Sequence, residues 1–89
     1  MKAKHLQSKR ILEFWQVNKE NEQPVWVKKA FASGGFSWLN DKTLRIVNTG
    51  GLIKINAAQD EFLVFNGKYL KIVSAQKFKQ DYRLQEKIY

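Results

Sequence analysis

The chain reads as a small α+β domain: an antiparallel meander of four or five strands packed against one amphipathic helix over about residues 24–33, with a short C-terminal helical turn. Three observations lead there. Pro24 stands where a helix opens and Gly34-Gly35 where it closes. Short β-branched and alternating runs follow, such as Leu52–Asn56 (LIKIN) and Tyr69–Val73 (YLKIV). Turn dipeptides separate those runs, with Asn66-Gly67 the strongest hairpin signal. A length of 89 residues suits one domain and is short for two.

Taken in order, residues 1–9 lack a periodic pattern and read as a flexible basic arm ahead of a domain over 10–84 and a frayed tail over 85–89. Arg10–Val17 (RILEFWQV) reads as a strand, and Asn18–Gln23 as a polar loop. In the helix, Trp26, Val27, Ala30 and Phe31 form one apolar stripe while Lys28 and Lys29 face away. Phe36 and Trp38 lead into a turn at Asn40-Asp41. Four strands are then expected, at 44–48, 52–56, 61–65 and 69–73, with turns at Thr49-Gly50-Gly51, Ala57–Asp60 and Asn66-Gly67. Ser74 is placed to cap a final helical turn in which Phe78 and Tyr82 present one face.

Composition narrows the chemistry. There is no Cys, hence no disulfide and no thiolate ligand, and the lone His5 leaves little for a zinc site. No apolar run approaches the roughly 20 residues of a membrane-spanning helix, and no signal-peptide core follows Met1, so a cytoplasmic setting is expected. Twelve aromatics supply the core that a chain this small requires. Sixteen Lys and Arg against eight Asp and Glu give a net charge of +8, concentrated at both ends of the chain. That excess favours an anionic partner, and it also serves plain solubility.

No enzyme or cofactor is expected. Asp60 beside Glu61 is better used as a turn residue than as an acid/base couple. Ser33-Gly34-Gly35-Phe36-Ser37 follows a helix and lacks the Lys-Ser/Thr ending of a phosphate loop, so it reads as a helix C-cap. A Ser–His hydrolase is not assembled from Ser33, Ser37 and His5. The partner-binding candidates are cationic and aromatic: Lys54, Lys68, Tyr69, Lys71, Lys77 and Lys79 as one face, with Lys9 and Arg10 on the arm. Trp15 and Trp38 are candidate exposed anchors, whereas Trp26 and Phe31 belong to the core.

The layout of residues 10–82 resembles a widespread group of small phage and prophage proteins. Glu13-Phe14-Trp15-Gln16 keeps the spacing of that group's Glu-Ala-x-Gln strand, and Pro24-Val25-Trp26-Val27 is similar to its helix opening. Thr49-Gly50-Gly51 stands at its Thr-x-x-Gly strand end, Gln59-Asp60 at its Gly-Asp-aromatic turn, and Phe78 with Tyr82 closes the pattern. The resemblance implies a phage or prophage origin and a small α+β fold, and attaches no activity. Together with the residues it leads to an expected function: a non-catalytic accessory protein that binds a host or phage macromolecule, with a defence inhibitor of the anti-CRISPR type as the concrete form. The expected partner is a protein with an acidic face. The alternative is a small basic nucleic-acid-binding module; neither a membrane nor a small-molecule substrate is expected.

Overall fold

The structure, a computed structural model, describes residues 2–47, 54–67 and 69–85. It is of the α+β class, with two sheets and two helices among the described residues. The chain divides into two compact units. The first is Met1–Trp15 with Glu61–Tyr89, and the second is Gln16–Asp60.

In the first unit, β1 (Lys2–His5) and β2 (Ile11–Gln16) form a hairpin, as do β6 (Phe62–Phe65) and β7 (Leu70–Val73). Helix α2 (Ala75–Asp81) leads into β8 (Tyr82–Gln85), which pairs antiparallel with β1. The resulting order is β7-β6-β2-β1-β8. Residues 2–9 therefore are not an arm: Lys2–His5 sits inside the sheet between β2 and β8, and Ala3 is buried. The pattern Lys-Ala-Lys-His already alternates, and its one small apolar side chain suffices because aromatics close over it. Phe78 of α2 lies flat on Phe62, with centroids 3.9 Å apart, and on Tyr82 at 4.9 Å; Phe14 tilts against it at 5.2 Å. Ala3, Val64 and Val73 complete that cluster. Each aromatic pair adds about 0.5–1.5 kcal/mol beyond its buried area.

Local signals place α2 and the turns. The Ser74 hydroxyl accepts from the Lys77 N–H at 3.1 Å, an N-cap that satisfies one orphan donor of the first turn. Asn66 Oδ1 accepts from the Tyr69 N–H at 2.7 Å, and the Asn66 N–H donates to the Tyr69 carbonyl, closing the β6–β7 connection. Gly67 holds φ 96°, the left-handed backbone that this turn requires.

The second unit packs α1 (Val25–Ser33) against a three-stranded sheet of order β3-β4-β5, formed by Phe36–Asn40, Thr43–Val47 and Lys54–Ala58. Pro24 is the N-cap, its carbonyl accepting from Val27 and Lys28, and Gly34 ends the helix at φ 85°. Val27 is fully buried; Trp26 and Phe31 each meet Phe36 edge-on, at 6.5 and 5.7 Å. Register puts Phe36, Leu44, Ile46 and Ala57 on this inner face, and Ser37, Arg45 and Asn56 on the outer one. Two sheets thus replace the single meander. Phe36–Asn40, read from sequence as the approach to a turn, is a strand, and Ala57-Ala58 extends β5, leaving the turn to Gln59-Asp60. The Thr49-Gly50-Gly51 turn lies outside the described residues.

Candidate binding surface

The pairing of β1 with β8 joins the two basic ends of the chain in one unit. Ten Lys and Arg stand against four Asp and Glu there, a net +6; the second unit holds six against four, a net +2. The tertiary arrangement thus concentrates the charge that the sequence shows only as two distant segments.

The predicted residues distribute as follows. Tyr69, Lys71, Lys77, Lys79, Lys9 and Arg10 all belong to the first unit and are exposed. Along β7 side chains alternate, and Val73 faces the aromatic core, so Lys71 shares the face that carries α2. Lys71 and Lys77 line one cleft of about 240 Å³, together with His5, Ser74, Asp81 and Tyr82. Lys77 Nζ sits 3.4 Å from the Asp81 carboxylate, one helical turn on. The His5 ring packs on Tyr82 with centroids 4.9 Å apart, and His5 Nδ1 is 2.9 Å from the Ser8 hydroxyl. Burial, and secondarily the negative charge of Asp81, raises the Tyr82 phenol above its usual range, so its proton is retained at neutral pH.

Lys9 and Arg10 are not on an arm but on the β1–β2 connection, where Lys9 takes φ 64° and its N–H donates to the His5 carbonyl. Lys54 is exposed at the start of β5 and belongs to the second unit. Lys68 lies outside the described residues. Trp15 is not an exposed anchor: on β2, an interior strand of its sheet, it is fully buried. Trp38 is half-buried, stacked on Phe31 at 6.0 Å with the Lys19 ammonium 5.4 Å from its ring centre.

Three cations escaped sequence reasoning because their strands were not foreseen. Lys2 and Lys4 point to the sheet face opposite Ala3, and Arg83 stands directly across from Lys4. Like charges opposed across two strands destabilise the pair. Glu13 opposes Lys2, and the Arg83 guanidinium turns back to the Lys79 and Tyr82 carbonyls at 3.2 and 3.1 Å. The alternation of KAKH was the available signal for the two lysines.

Among the described residues, no group of three or more His, Asp or Glu side chains is placed to hold a metal ion. No helix among them is long and apolar enough to cross a membrane. No family model, curated protein or solved structure matches this chain.

Proposed function

We propose that this chain is a non-catalytic accessory protein, of phage or prophage origin, that acts by binding an anionic host or phage macromolecule through its basic unit. The observation that carries the reading is the +6 charge gathered on Met1–Trp15 with Glu61–Tyr89, against +2 on the other unit. Such a field steers an acidic partner into contact and sets its orientation. Occlusion of an acidic protein face is one form this takes, and inhibition of a host defence system in the bacterial cytoplasm is its concrete setting. Nucleic acid is the second form, favoured by one specific feature: Tyr69, 66% exposed, stands two residues from Lys71 on the basic unit.

Charge reversal tests the reading. Lys4→Glu/Lys71→Glu/Lys77→Glu and, as a control in the other unit, Lys28→Glu/Lys29→Glu are compared as baits in bacterial lysate, with and without nuclease. The first variant is expected to lose the captured partner and the control to keep it. Equal capture by both variants would rule out the basic unit as the contact surface.

A further inference from the structure

We propose that the helix-bearing side of β7 and α2 is a track for single-stranded nucleic acid, with Tyr69 as the base-stacking platform and the Lys71–Lys77 cleft as a seat for one phosphodiester. This rests on the reading above and names the partner of that unit.

Side chains two apart on a strand share a face, and two residues rise about 6.8 Å. Lys71 and Val73 therefore share one side of β7, an edge strand of its sheet, and Tyr69 immediately precedes the strand, its carbonyl accepting from the Asn66 N–H. Val73 is buried in the cluster that holds Phe78 of α2, while Tyr69 and Lys71 are exposed. An exposed ring followed two residues on by an ammonium serves two parts of one nucleotide: its base and its phosphate. Lys77, on the first turn and a half of α2, approaches the same space from the helix, and the two lysines become walls of one cleft.

Charge inside the cleft selects the ligand. Two ammonium groups face one carboxylate, Asp81, which is already 3.4 Å from Lys77 Nζ. The lysine and aspartate side chains of the cleft, Lys71, Lys77 and Asp81, sum to a single positive charge. That matches the one negative charge of a phosphodiester and falls short of the two on a phosphate monoester. The cleft volume of about 240 Å³ lies below the range of ordinary small-molecule sites, roughly 300–1,000 Å³, and suits one phosphate group with its flanking oxygens. Single strands are favoured over duplex because a ring on a sheet edge can stack only on a base that is itself unstacked. The aromatic face of α2 is used in the core, Phe78 being buried, so this short helix does not serve as a groove reader.

The test is fluorescence anisotropy on the full chain with labelled single-stranded DNA, single-stranded RNA and duplex DNA of about a dozen nucleotides, across a salt series. Single strands are expected to bind more tightly than duplex. Tyr69→Ala is expected to weaken single-strand binding about 5- to 150-fold, the range for loss of one stacking contact, with the salt slope unchanged. Tyr69→Phe is expected to restore it. Lys71→Ala and Lys77→Ala are each expected to lower the slope of log K against log salt by about 0.7. All four substitutions are at exposed positions, and circular dichroism checks that each variant is folded. Absence of oligonucleotide binding at low salt, preference for duplex, or indifference to Tyr69→Ala each overturns the proposal. If oligonucleotides fail while charge reversal still abolishes capture of an acidic protein, this inference falls and the reading of the basic unit stands.

Discussion

At the residue scale, four positions among the described residues hold the backbone at positive φ, and two of them are not glycine. Gly34 (85°) and Gly67 (96°) were legible as turn glycines; Lys9 (64°) and Asp60 (75°) take the same left-handed region without that freedom. Asp tolerates it better than most residues. This is how the turn before β6 forms with Gln59-Asp60 in place of a glycine. Asp60 is used through its main chain: its N–H donates to the Val17 carbonyl at 2.8 Å, and its carbonyl accepts from Gln16 Nε2. The expectation of a turn role holds, by backbone conformation. At Gly34 an added Cβ would touch nothing within 4 Å, so Gly34→Ala isolates the conformational cost. Urea unfolding should show a loss of about 1–2 kcal/mol with an unchanged m-value. Asp60→Gly, measured the same way, should be neutral or stabilising.

At the scale of elements, α1 and α2 were readable because their ends carry chemistry that acts locally. Pro24, Gly34 and Ser74 do their work within four residues of their own positions. β1 and β8 were not readable, since both depend on pairing: β1 lies between β2 and β8, and β8 forms on β1. Lys2–His5 has one buried apolar side chain, and Tyr82–Gln85 follows α2 without a turn signal; pairing over Lys2↔Gln85 through His5↔Tyr82 makes both strands. Removing residues 2–6 therefore should not behave as trimming an arm. It strips the strand between β2 and β8 and exposes the Phe78–Tyr82 stack. The expected result is loss of cooperative unfolding and of near-ultraviolet dichroism from the aromatics. A deletion variant with wild-type unfolding would show that β1 contributes little.

At the scale of the whole molecule, charge and burial compete. A net +8 on 89 residues, mostly on one unit, repels itself. Lys4 facing Arg83 is one local expression of that repulsion. Salt should relieve it: raising sodium chloride from about 10 mM to about 300 mM is expected to raise Tm by about 4 °C or more, equivalent to about 1 kcal/mol in a chain of this size. A flat or falling Tm would mean the charges are already compensated in the fold. The candidate surface shows the same division between local and distant information. Tyr69, Lys71 and Lys77 were legible as one group because they lie within nine residues of one another. Lys2, Lys4, His5 and Arg83 join the unit only through strand pairing. Trp15 could not be distinguished from an exposed anchor, because its burial is set by tertiary packing and not by local pattern.

What the sequence determined by itself is the α+β class, the helix limits at Pro24, Gly34 and Ser74, the Asn66-Gly67 hairpin, and the excess of positive charge. These follow from φ preferences, caps and side-chain periodicity, which act over a few residues. Only the tertiary structure decided that the strands form two sheets, that residues 2–5 are a strand, that Trp15 is core, and that both basic ends share one unit. Those outcomes depend on hydrogen bonds and apolar contacts between segments some 80 residues apart, such as Ala3 with Leu84, and no local propensity encodes them.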